Sequence, residues 1–328
     1  MKRHSEQREV DTLLEFDFGG PPQWALVRGR SRSSPVLLLV QAGPGLPMIQ
    51  EAFDIERRLR LEEHFRVVYW DQRGTGRSFD AKDRAPIALD TAIGDVGAMI
   101  LALCARLAVT EVDVVGFSFG ASLALLACAA DGKLPVRSLT GVGADVSLLE
   151  GERFALAFAL GEAARRGNER ALRALRAIGE PPHDGKRFTT RVRWVANFGG
   201  VQRGKGFGAL LRTTVARLWR SPHYGLGQML GALRGLQATP DRLLPALREF
   251  DLRTTPLAVR APVALFHGRQ DKAAPPALTA ELGKRLGVDV TWFEESAHLP
   301  HEEEPARFRA ELLRFLSREE APARTLSI

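Results

Sequence analysis

The sequence predicts an α/β fold in which helices flank a mostly parallel central sheet and a second, all-helical segment is inserted. Three observations carry that expectation. Short β-rich runs alternate with stretches of helical periodicity along most of the chain. The run Val36–Val40 is apolar without a break, as a strand buried on both faces requires. The alternation lapses between about Val146 and Arg260, then resumes at Pro262.

Taken in order, the strands are expected at Ala25–Arg28, Pro35–Gln41, Arg66–Trp70, Val112–Gly116, Ser138–Val142, Pro262–His267 and Val288–Phe293. Helices are expected at Ala88–Leu107, Phe119–Ala130, Ala277–Leu286 and Pro305–Leu316. The stretch between reads as helical pieces (Phe154–Arg166, Glu169–Ile178, Gly208–Arg220, Gly225–Leu236) separated by Gly/Pro-rich turns. The simplest organisation is one catalytic domain built from residues 1–145 and 261–328, with 146–260 as a helical cap.

Composition narrows the function classes. The chain has 328 residues, 45% of them hydrophobic, enough for one large core. No apolar run approaches the roughly 20 residues that cross a bilayer. The basic N-terminal segment is not followed by the apolar stretch of a signal peptide, so a cytoplasmic protein without a membrane anchor is expected. Two cysteines make no disulfide framework, and no Cys/His spacing suggests a metal site. No phosphate-binding loop or dinucleotide fingerprint is present, so no cofactor is expected. The net charge of +7 raises nucleic acid as a partner. The most basic stretch, between Gly185 and Pro240, holds ten lysines and arginines and no acidic residue. Its aromatics are scattered and it carries no nucleic-acid motif, so nucleic acid is not the expected partner. Either some of these arginines bind an anionic substrate, or they form solvated helix faces.

Gly116-Phe117-Ser118-Phe119-Gly120 matches G-x-S-x-G and lies between a strand-like and a helix-forming segment. That context suits a nucleophile elbow, a strained turn that lifts the serine hydroxyl to a helix N-terminus. A capping serine on a Gly-bounded turn is the plainer alternative. A serine nucleophile needs a positioned base. Of the seven histidines, His4 is in the tail, His64 in a charged segment, His183 and His223 in the helical segment, and His267 at a strand end. His298 and His301 share the loop after the last expected strand; His298 comes first and is the expected base, with His301 shielding the following helix. Elbow-type triads run Ser, acid, His in chain order. The expected acid is Asp271, just past the strand ending at His267, with Asp145 as competitor. The N–H groups of Gly43 and Phe119 are the expected oxyanion donors, the first in the loop after Val40, the second directly after the nucleophile.

Gln41-Ala-Gly-Pro-Gly45, Tyr69-Trp-Asp-Gln-Arg-Gly-Thr-Gly-Arg-Ser78, Gly116–Gly120, Gly268-Arg-Gln-Asp271 and Ala297–Pro305 together resemble the proline iminopeptidase branch of the α/β hydrolases. The resemblance covers about Leu13–Asp145 and Pro262–Leu316. It implies an α/β-hydrolase fold, Ser118, Asp271 and His298 as triad, and Gly43 and Phe119 as oxyanion donors. The first loop of the family normally reads H-G-G-P-G, where this chain has Gln41-Ala42. The family binds the substrate's amine with acidic cap residues, which the basic segment here lacks. Asp71, Arg73 and Arg77 either shape the active-site rim or form a salt-bridged turn. A serine hydrolase acting on an ester, lactone or amide of a small molecule or short peptide is expected. Tailoring or thioester-release chemistry on the same scaffold, and a non-catalytic binding protein, are the alternatives.

Overall fold

A run such as Val36–Val40 has no polar face to offer water, so it forms the middle of a sheet rather than its edge. The computed structural model describes residues 9–317. His4 and the polar C-terminal end lie outside the described residues. Strands β1 (Val10–Phe16), β2 (Gln23–Gly29) and β3 (Val36–Val40) lead to helix α1 (Ala52–Leu59) and β4 (Arg66–Asp71). Then follow α2 (Leu89–Leu107), β5 (Val112–Phe117), α3 (Phe119–Ala130) and β6 (Val136–Val142). Five helices come next: α4 (Leu148–Arg165), α5 (Glu169–Ile178), α6 (Gly185–Asn197), α7 (Phe207–Arg220) and α8 (Leu226–Leu243). The chain returns with β7 (Val263–Gly268), α9 (Pro276–Leu286), β8 (Val290–Phe293), α10 (Pro300–Glu303) and α11 (Pro305–Leu316).

The eight strands form one sheet in the order β1-β2-β4-β3-β5-β6-β7-β8. β1, β2 and β4 pair antiparallel, and every pair from β4 through β8 is parallel. Side chains alternate between two cores, as the strand period of two requires. Val36, Leu38 and Val40 pack with Met99 of α2, Leu123 of α3 and Leu282 of α9. Leu37 and Leu39 pack on the other face with Ile55 of α1 and Phe308 and Leu312 of α11. The inserted helices have a core of their own, in which Ala155, Leu156, Leu172, Leu175 and Val195 meet.

The mostly parallel sheet with flanking helices agrees with expectation, and α3 and α11 fall on the expected residues. Several elements differ. The sequence pattern does not announce β1, because it is an edge strand whose residues are mostly half-exposed and so carry no apolar alternation. Nor does it announce α1 and α6; α6 is rich in arginine and β-branched residues and is held by packing rather than propensity. α8 runs past the expected end at Leu236 and carries Pro240 inside it. The proline ring and the Leu236 carbonyl, which Pro240 leaves without its helical donor, both lie against Gly45.

This topology positions the site. The chain leaves β3 toward β4 on one side and reaches β5 on the other, so a crevice opens at the carboxyl ends of the central strands. The loops after β3, β5, β6 and β7 all end there.

Candidate active site

Ser118 sits between β5 and α3 with φ 51° and ψ −124°, a conformation that costs a non-glycine residue about 1–3 kcal/mol. The flanking glycines exist for close approach. A Cβ at position 116 would lie 2.4 Å from Ala121 Cα, and one at 120 would lie 2.2 Å from the Gln41 carbonyl oxygen. The turn therefore packs tightly against both its own helix and the loop after β3. It places the Ser118 side chain in a cavity and the Phe119 N–H at the first turn of α3.

His298 lies in the loop after β8, at the level of the turn that follows β7. A Cβ at Gly268 would overlap the Ala297 carbonyl at 1.8 Å, so only glycine lets these two loops meet. His298 Nδ1 lies 2.6 Å from Asp271 Oδ2, and its Nε2 lies 3.0 Å from Ser118 Oγ. The structure thus brings together Ser118, Asp271 and His298 from the ends of three strands. Gly43 also lines the cavity, as do Phe119 and the rest of the elbow.

Asp271 is fully buried and meets four donors. Oδ1 accepts from the N–H groups of Ala273 and Ala274, at 2.7 and 2.9 Å. Oδ2 faces His298 and, at 3.3 Å, the Nε2 of His267. Burial alone would raise its pKa, but the charge of His298 and the hydrogen bonds from both imidazoles hold it far below the usual carboxylate range. Burial would conversely lower His298. The charge and hydrogen bond of Asp271, then the charges of Asp145 and Glu303, prevail and raise it to about 9.

Two contacts escape a reading of the sequence. His267 reads only as a strand-end histidine, yet its Nε2 reaches Asp271 while Thr279 Oγ1 lies 2.9 Å from its Nδ1. Asp145 reads only as the alternative triad acid. It is not within reach of the His298 Nδ1 position that Asp271 holds; instead its Oδ2 accepts a hydrogen bond from Ser118 Oγ at 3.1 Å. The signal available for both is their place at the carboxyl end of a strand close to the elbow strand.

The motif at Asp71–Ser78 resolves toward structure. Asp71 is buried and accepts from the N–H groups of Met48, Ile49 and Arg77 and from the Tyr224 hydroxyl, which ties α8's approach to the sheet. Arg73 forks onto both oxygens of Asp95 at 2.8 Å. Arg77 stacks over Trp24 at 4.6 Å. Gln41, which stands where the family has histidine, accepts from the Gln72 N–H and the Thr75 hydroxyl.

The cavity has a volume of about 410 Å³ and is walled largely by apolar side chains, among them Leu148, Phe188, Val192, Leu210 and Leu244. From the basic segment Arg191 and Arg217 reach it, and each is already paired. Arg191 Nη2 donates to Glu152 at 2.7 Å. Arg217 contacts Asp54, Glu51 and Glu302 at 2.9, 3.2 and 2.5 Å. Asp145 is a further carboxylate in the wall. The expectation that basic residues make the pocket a receptor for anions is therefore corrected: among the described residues, each cavity-lining arginine is matched by a carboxylate, because buried charge persists only when paired. Glu51, His301 and Glu302 also place three ligand-type atoms within 4.8 Å of one another. The Arg217 guanidinium already supplies the positive charge at that spot. Among the described residues, no helix is long and apolar enough to cross a membrane.

Comparison with known proteins agrees with this geometry. A family model described as the alpha/beta hydrolase family matches residues 37–311. A curated relative, a probable aminopeptidase YbaC of Bacillus subtilis (strain 168), is 27% identical over 317 residues, 94% of this chain and 97% of that protein. Among solved structures, a proline iminopeptidase-related protein from Thermus thermophilus superposes with a TM-score of 0.62 at 21% identity, over 94% of this chain and 97% of that one. An esterase from Exiguobacterium antarcticum does so with a TM-score of 0.58 at 19% identity, over 90% and 96%. At those identities the two structures speak for the fold alone.

Proposed function

Because this chain belongs to the alpha/beta hydrolase family, we propose that it is a serine hydrolase that cleaves an ester or amide bond of a small molecule or short peptide through an acyl-enzyme. The observation that carries the reading is the unbroken relay from Asp271 through His298 to Ser118, at 2.6 and 3.0 Å. In this reading Ser118 Oγ attacks the carbonyl carbon while His298 Nε2 takes its proton. The oxygen that becomes negative is met by the N–H groups of Phe119 and Gly43. His298 then gives its proton to the leaving group, and a water molecule repeats the sequence to free the acid. Asp271 fixes the imidazole so that Nε2 faces the serine, and His267 holds Asp271 from its other side.

The five helices α4–α8 serve as a cap that supplies the outer wall of the cavity, residues 146–260 over a catalytic domain of 1–145 and 261–328. The apolar wall suits a hydrophobic acyl group, and the paired arginines offer no receptor for a free anion. A curated relative named as an aminopeptidase supports placing amides, including aminoacyl amides, beside esters among the substrates.

The test is labelling with a fluorophosphonate probe, followed by turnover of matched p-nitrophenyl esters and aminoacyl naphthylamides. Labelling at Ser118 that vanishes in Ser118→Ala, with turnover lost in parallel, is expected. Wild-type protein that takes up no probe overturns the proposal.

A further inference from the structure

Ser118 has one hydroxyl proton and two acceptors within reach. His298 Nε2 lies 3.0 Å from Oγ, and Asp145 Oδ2 lies 3.1 Å from the same atom on another side. A serine hydrolase needs only the first. A carboxylate in the second position competes with the base for the proton that must move, and it places a second negative charge near the imidazole.

Asp145 is held there by the fold. It follows β6, and Ser122 Oγ, one turn into α3, donates to its backbone carbonyl at 2.6 Å. The charged groups that face it come from several elements: His298 from the loop after β8, Asp271 from the turn after β7, and Arg191 from α6, which is itself paired with Glu152 of α4. Burial pushes the Asp145 carboxyl up, while the charge of His298 and the Ser118 hydrogen bond pull it back. Around His298 stand three carboxylates, those of Asp271, Asp145 and Glu303.

We infer that Asp145 is a positioning residue that keeps the resting site in a closed proton arrangement, with His298 as imidazolium donating to Ser118 Oγ and the Ser118 hydroxyl donating to Asp145, until the Asp145 charge is neutralised. The inference rests on the serine-hydrolase reading. In the resting arrangement Nε2 carries a proton and cannot act as base. Activation is the loss of that one proton from Nε2 to solvent, after which the Ser118 hydroxyl turns from Asp145 to Nε2. Alkali does this by titration. A cationic group on the substrate does it at neutral pH, because it takes over the carboxylate and removes the charge that stabilises the imidazolium. Geometry permits it: attack brings the carbonyl carbon to about 3–3.5 Å from Oγ, so a cation on the neighbouring carbon lies within ion-pair distance of Asp145. The site thereby couples the charge of the substrate to the activation of the nucleophile.

The experiment measures kcat/KM against pH for a neutral p-nitrophenyl ester, in wild type and in Asp145→Asn. The wild-type rate is expected to climb into the alkaline range, and the variant's acid limb to move down by at least one pH unit, a gain of about tenfold at pH 7. A second arm compares an ester bearing an ammonium group on the carbon next to the carbonyl with its neutral isostere. Wild type favours the cation at pH 7 and Asp145→Asn loses that preference. An unmoved limb, or a preference kept by the variant, overturns the inference. Imidazole NMR of His298 in the wild-type protein gives a reading that does not depend on the variant folding: an imidazolium at pH 7.5 is expected, and a neutral ring overturns it. Failure of the hydrolase reading is distinct, since it shows as wild-type protein without probe labelling at any pH.

Discussion

Two histidines three residues apart line the same cavity and end in opposite states. Burial works against the charged form of both. His298 has Asp271 at 2.6 Å, and carboxylates raise it to about 9. His301 is lowered to about 4, first by burial. Its ring lies between Phe117 and Phe308, at 4.7 and 5.9 Å between centroids, and its Nδ1 has no hydrogen-bond partner. The adjacent Glu302 cannot rescue it, because Arg217 holds that carboxylate at 2.5 Å. The lesson is that neighbouring charge does not set a pKa; charge that is not already committed elsewhere does. One cluster leaves an imidazole charged beside a hydroxyl, and the other closes its charges on each other and leaves an imidazole as an aromatic wall.

The strongest way to break this comparison is to remove the relay itself. Ser118→Ala or His298→Ala is expected to lower kcat by about 10⁴-fold or more, while His301→Phe keeps it within tenfold; equal losses at 298 and 301 in steady-state assays would erase the distinction. Next in size is the closed cluster. Arg217→Leu strands Glu302, Asp54 and Glu51, and loss of a buried ion-pair partner costs about 3–5 kcal/mol. Urea unfolding checks it, and adding Glu302→Gln should restore part of the loss.

The third prediction concerns acid. His301 titrates near 6.5 when unfolded and about 4 when folded, so between those values the unfolded chain binds more protons. Stability from this residue is complete above about 6.5 and is lost as pH falls toward 4, on the order of 3 kcal/mol over the window. His301→Phe should flatten the urea midpoint against pH there, whereas an unchanged slope would show that His301 is protonated in the fold. His298 has the opposite sign: its contribution is present at low pH and is lost as pH rises through about 9. The smallest effect belongs to the solvated face. Arg212→Gln and Arg220→Gln, both exposed, should change stability by no more than about 0.5 kcal/mol and leave turnover of a neutral ester within twofold.

Most of the fold was legible because its strands are buried on both faces and must be apolar throughout, as β3 and β5 are. The edge strand β1 and helices α1 and α6 were not, since their stability comes from contacts made after the sheet exists. The inserted segment was legible as helical but misread in charge. Arg191 and Arg217 find their carboxylates 39 and 85 residues away in the chain, at Glu152 and Glu302.

By itself the chain determined its elbow, its relay residues and the order in which they occur, because these depend on local turn chemistry and on what each strand end can hold. The tertiary structure decided the charge of everything around them. Which acid serves His298, which one competes for the Ser118 proton and which arginines are spent on partners are settled by distances of about 3 Å between residues remote in sequence, and electrostatic energy falls with those distances rather than with separation along the chain.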